Sequence, residues 1–119
     1  MLDTTKEQEL LKALQIAERR ADGSAIEQAV GGLALFYVAT EQFSSAVPFW
    51  RRGAKLLAAS TAPDSAELAT YLHNMAATCL IPAGLREEAR STLMRATELY
   101  RLHFRSDAPW VKDVEELLR

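Results

Sequence analysis

The residues that could do chemistry in this chain are few, and their spacing keeps them apart. His73 and Cys79 are both metal-ligand types, but His73 lies six positions before Cys79, too far round a helix to share an ion as an i, i+4 pair would. The positions one turn to either side of His73 are Ala69, Thr70, Ala76 and Ala77, none a usual ligand, and the nearest acid upstream is Glu67. Cys79 falls on an apolar stripe with no basic residue one turn away, which predicts an inert buried thiol. His103 stands near the end of a helical segment, where an imidazole meets exposed carbonyls. Glu87-Glu88 and Glu115-Glu116 are adjacent pairs that point to different sides of a helix, so neither pair can work jointly as acid and base. No Gly-rich phosphate loop, nucleophile elbow or metal-binding helix motif occurs. The expectation is a chain that is not an enzyme, with no catalytic residue, no metal site and no cofactor.

Composition narrows the alternatives. With 49% hydrophobic residues and only 5 Gly and 4 Pro in 119, the chain can bury a core and has the size of one domain. Its 14 basic and 16 acidic residues leave a net charge of -2, so no global field draws it to nucleic acid. The pairs Arg19-Arg20 and Arg51-Arg52 read as solvated helix faces. The longest apolar run, Leu33 to Ala39, is far short of the roughly 20 residues that span a bilayer, so no membrane insertion is expected. Met1-Leu2-Asp3-Thr4-Thr5-Lys6 lacks the pattern of a secretory signal, and the single Cys79 cannot form an internal disulfide; both point to a cytoplasmic protein.

The elements that must position these residues are helices. Six segments carry apolar residues three or four apart, and none alternates with period two. The stripes are Leu10, Leu14, Ala17; Ile26, Val30, Leu33, Tyr37; Phe43, Val47, Trp50, Ala54, Leu57; Leu68, Leu72, Met75, Cys79; Leu85, Ala89, Leu93, Ala96, Tyr100; and Val111, Val114, Leu118. The fold class is therefore all-α, one domain over 1–119 with helices near 4–21, 24–40, 43–60, 64–82, 85–103 and 108–118. Thr4 with Glu7 and Ser24 with Glu27 fit the capping box, and Asp64 and Asp107 are candidate caps for the fourth and sixth helices. Asp22-Gly23 and Pro82-Ala83-Gly84 supply turns. Pro48, inside the third stripe, falls in an early turn where its missing N–H and ring disturb few carbonyls; a modest bend is expected. Trp50 and Trp110 read as packing residues, Trp110 the more exposed.

The chain half repeats itself. Leu33 to Met75, Ala34 to Ala76 and Tyr37 to Cys79 are each offset by 42, whereas Ala46 to Ala89, Gly53 to Ala96 and Leu68 to Val111 are offset by 43. One residue has been inserted between, most simply in the turn Ile81-Pro82-Ala83-Gly84, where an insertion costs least. Two helices per unit, with Leu-Ala-x-x-Tyr on the first and Phe-x-x-Ala-x-Pro then Arg-Gly or Arg-Ala on the second, resemble tetratricopeptide repeats, closest to the longer-period kind of kinesin light chains. Leu72-His73-Asn74-Met75-Ala76, then Phe43, Ala46, Pro48, Arg52 and Gly53, then Asp107 and Pro109, carry the likeness across nearly the whole chain. The departures are Cys79 in place of an aromatic and Arg86 in place of Phe43. Leu85 is expected to take over that packing, with the second unit less tightly packed there. Small residues at Ala34, Ala76, Gly53 and Ala96 suit helices that cross closely. Gly31, off that face, is left unexplained by packing.

The resemblance implies an antiparallel, right-handed stack of about two units with a half unit at each end, whose first helices line a concave peptide-binding face. Its positions map onto Gln28, Gly31, Leu35, Val38 and Ala39 in the second helix, and Thr70, His73, Asn74, Ala77, Leu80 and Ile81 in the fourth. The lysines that some such proteins use to clamp a terminal carboxylate are absent. Such a groove, apolar at one end and polar at the other, would suit a partner helix or peptide. The function expected is protein binding as an adaptor, scaffold or chaperone. Two alternatives stay open: the first or sixth helix folds over these residues, or exposed end faces build a homodimer or larger oligomer.

Overall fold

The computed structural model describes residues 4–119, and among them every regular element is helical, with no strand. The helices are α1 (Thr4–Arg19), α2 (Gly23–Ala39), α3 (Phe43–Ser60), α4 (Ala66–Met75), α5 (Arg86–His103) and α6 (Pro109–Leu117); α4 runs on into a π-helical turn, Ala76–Leu80. Each apolar stripe corresponds to one helix, with Leu85 just before α5, Leu118 just after α6 and Cys79 in the π-helical turn. Met1, Leu2 and Asp3, where the N-terminal reading begins, lie outside the described residues, as does the Thr4 side chain on which the first capping box rests.

The chain divides into two units, Met1–Gly53 and Ala54–Arg119. In the first, α1 and α2 run antiparallel: the Tyr37 hydroxyl donates to Glu7 at 2.7 Å, and a Cβ built on Gly32 would meet Leu10 Cδ2 at 3.1 Å. That close approach is the reason for glycine at position 32. Tyr37 also stacks on Phe49 of α3, with ring centroids 5.7 Å apart, and Arg52 of α3 pairs with Glu18 of α1 at 3.2 Å. Val30, Leu33, Ala34, Ala46 and Val47 are buried. Pro48 is exposed in the second turn of α3.

In the second unit α4, α5 and α6 form an antiparallel three-helix arrangement over Leu68, Met75, Leu80, Leu93, Leu99, Tyr100, Val111 and Val114. Side chains of α5 tie down the connection ahead of α4: Arg95 donates to the Pro63 carbonyl at 3.1 Å, and His103 Nε2 donates to the Asp64 carbonyl at 2.6 Å. His103 thus serves a carbonyl of a distant loop rather than of its own helix end. Phe104 meets the edge of Trp110 with centroids 5.1 Å apart, closing the turn into α6.

Three turns share one geometry. In each, the residue closing a helix sits at positive φ, flanked by two bonds that satisfy the last carbonyls: Asp22 N to Ala17 O with Ala21 N to Glu18 O, Gln42 N to Tyr37 O with Glu41 N to Val38 O, and Leu85 N to Leu80 O with Gly84 N to Ile81 O. These are Schellman caps. The left-handed residue is Ala21, Glu41 or Gly84, at φ 51, 59 and 81; Gly23, expected to make the first turn, instead opens α2.

The last two turns correct the position of the inserted residue. Tyr37 and Leu80, Glu41 and Gly84, and Gln42 and Leu85 play identical roles and are already 43 apart, so the turns are equally long. The extra residue lies upstream of Leu80, in the π-helical turn Ala76–Leu80, where Ile81 N reaches back five residues to Ala76 O at 3.0 Å. A single wide turn absorbs one residue inside a helix without interrupting its backbone bonds.

The caps also differ from expectation. Asp22, not Ser24, caps α2, accepting from Ala25 N at 3.2 Å. Ser65, not Asp64, caps α4: its hydroxyl is buried and accepts from Leu68 N at 3.1 Å, where a carboxylate would be desolvated. At α6 no side chain caps; Pro109 at the first turn supplies the fixed φ that starts a helix, and Asp107 pairs with Arg105 at 3.8 Å instead. Leu85 does not replace the packing of Phe43: it stands before α5 as a non-helical residue and stays exposed.

Candidate functional site

Along α2 the nominated positions form an accessible strip. Leu35 is 62% exposed, Gln28 and Ala39 are exposed, and Val38 and Gly31 are half-buried. A Cβ on Gly31 would meet nothing within 4 Å, so this glycine, unlike Gly32, leaves open space. The strip is apolar from Gly31 to Ala39 because α2 carries no charged residue after Glu27.

Along α4 the nominated positions separate. Thr70 and Asn74 are exposed, Ala77 is half-buried and Ile81 is 40% exposed, but Leu80 is 0% exposed and His73 only 8%. The π-helical turn explains Leu80. Counted at an offset of 42 it corresponds to Val38, but through its cap geometry it corresponds to Tyr37, which is buried too.

His73 is nearly buried and is bonded to α6. Its Nε2 lies 2.6 Å from Asp113 Oδ2 and its Nδ1 3.1 Å from the Tyr100 hydroxyl, whose oxygen is 3.5 Å from Thr70 Oγ1. A carboxylate only accepts, so Nε2 carries the hydrogen and, in the neutral ring, Nδ1 accepts from Tyr100. Burial pushes the Tyr100 phenol up from its usual value, the Thr70 hydrogen bond opposes this and the Asp113 charge adds to it. Tyr100 is 1% exposed at the centre of this chain of groups, which joins three helices. Cys79 is fully buried, and among the described residues no cluster of three His, Cys, Asp or Glu side chains could hold a metal ion.

A site of a different kind stands where Arg86 replaces Phe43. A cleft of about 420 Å³ opens between the start of α5 and the end of α6, lined by Ile81, Arg86, Ala89, Arg90, Leu93, Leu117, Leu118 and Arg119. A second cleft of about 200 Å³ adjoins it at Leu118 and is lined by Met94, Thr97, Glu98 and Arg101. The basic rim was not legible beforehand, because Arg119 follows α6, far along the chain from Arg86 and Arg90.

The described chain is thus an all-α protein of six helices, none long and apolar enough to cross a membrane. No protein-family model matches it, and no curated protein matches it.

Proposed function

We propose that this chain is a non-enzymatic protein-interaction module of the tetratricopeptide kind, working in the cytoplasm as an adaptor, scaffold or chaperone. The observation that carries the reading is the face of α2: Leu35 at 62% exposure beside Val38, Ala39 and the open space over Gly31. An apolar strip along a helix, with open space over Gly31, offers a partner helix or peptide room for an apolar side chain. Recurrent Schellman turns at equivalent positions support the repeat reading, since they give both units the same helix–turn–helix entry. The accessible Thr70, Asn74, Ala77 and Ile81 offer a second such strip on α4.

The test is selection of peptides from a displayed library on the native protein, followed by titration against a Leu35→Glu variant. Leu35 is exposed, so the variant folds, and its circular dichroism checks this. Selected peptides should lose about tenfold or more in affinity, the loss typical of a central apolar anchor. Unchanged affinity would remove α2 as the binding face.

A further inference from the structure

Independently of the α2 face, we propose that the groove between α5 and α6 is a docking site for an acidic amphipathic helix. The two clefts join at Leu118 and follow one face of α5, on which Arg86, Arg90, Met94 and Arg101 succeed one another. At 1.5 Å per residue that face is roughly 22 Å long, about four helical turns. Its floor is apolar: Leu93 is buried, Leu118 is half-buried, and Met94 is 50% exposed with its side chain in the second cleft.

Charge selects the occupant. The larger cleft is lined by Arg86, Arg90 and Arg119 and by no acid. Over both clefts the only acid in the lining is Glu98, and its nearest cation, Arg95, lies 3.9 Å away outside the groove. Arg119 is paired with Glu116 at 3.4 Å, and exposed Arg90 spends one N–H on a 3.3 Å bond to the Leu118 carbonyl, out of the five that a guanidinium carries. The chain as a whole is acidic at -2, so this basic strip runs against its own surface average. An incoming helix with apolar residues at i, i+3, i+4 and i+7 would fill the floor, and carboxylates flanking them would meet the guanidinium groups with matching fork geometry. A strongly basic partner would bring like charges together on the rim.

The experiment is fluorescence anisotropy of the full chain with two labelled helical peptides of equal apolar content, one with glutamates and one with lysines at the flanking positions. The acidic peptide should bind saturably and more weakly as salt is raised, and the basic one should not bind. Arg86→Glu with Arg90→Glu should weaken the acidic peptide by about tenfold or more and permit the basic one. Arg86→Glu alone guards against loss of fold, since a carboxylate in the first turn of α5 suits the helix dipole; it should give an intermediate loss. Leu35→Glu should leave the acidic peptide's affinity unchanged, so this result is separable from that of the α2 face. Equal binding of both peptides, no binding of either, an unaltered affinity in the double variant, or binding to anionic vesicles but not to the acidic peptide would overturn the assignment.

Discussion

His73 shows how a side chain that looks like a ligand becomes a tie. Its two ring nitrogens face different partners on different helices, Asp113 on α6 and Tyr100 on α5, and the distances of 2.6 and 3.1 Å leave each nitrogen a single role. Nitrogen-15 spectroscopy should find the Nε2-protonated tautomer in the neutral ring; the Nδ1-protonated form would contradict the geometry. Asp113→Ala removes an acceptor from a nearly buried donor, and a loss of about 1–2 kcal/mol in denaturant-measured stability is expected. The lower end is favoured because the Asp113 side chain is 61% exposed and water can partly replace it. Spacing could not reveal this pair, because its members are 40 positions apart. Position in the repeat put His73 on a binding face, whereas its bonds to Asp113 and Tyr100 go with its burial while Thr70 and Asn74 beside it stay exposed.

At the scale of the elements, torsion at three turns makes a graded set. Ala21, Glu41 and Gly84 all adopt the left-handed conformation, which costs a residue with Cβ about 1–2 kcal/mol and glycine little. Gly84→Ala meets no atom within 4 Å, so its cost is torsional alone, and a loss of about 1 kcal/mol is expected. Ala21→Gly is the reverse exchange at the same cap position and should raise stability by up to about 1 kcal/mol. Urea midpoints of the two variants should move in opposite directions; movement in the same direction would show that the turns do not share one geometry. These same elements mark what was legible beforehand. Six helices followed from apolar residues three or four apart, since burial on one side leaves that pattern in any helix. The left-handed positions did not follow, because two of the three are not glycine and the glycine of Asp22-Gly23 stands two positions past the left-handed Ala21. The inserted residue was placed in a turn for a sound energetic reason, but a π-helical turn absorbs one residue with every backbone bond still made. That shift of register is also why Leu80 was expected on a surface and is buried, while Leu35, ahead of any insertion, lies exposed on the face assigned to it.

At the scale of the whole molecule, every tyrosine is held in its neutral form. Burial, then the hydrogen bond and charge of Glu7, push the Tyr37 phenol up to about 12; burial, then the Cys79 sulfur, push Tyr71 up to about 12; and Tyr100 is raised mainly by burial. Because the folded values lie above the ordinary 10.0, the folded state holds these protons more tightly than the unfolded one. The stabilisation is complete below about pH 10 and is lost as pH rises from there through about 12. The urea midpoint should therefore be lower at about pH 11 than at about pH 8, with phenolate absorbance rising together with unfolding. Tyr37→Phe should be less stable than the native chain at about pH 8, having lost the Glu7 bond, yet should lose less between the two conditions because one titrating group has gone. Equal midpoints for the native chain at the two pH values would show that the phenols titrate in the folded protein as freely as in the unfolded chain.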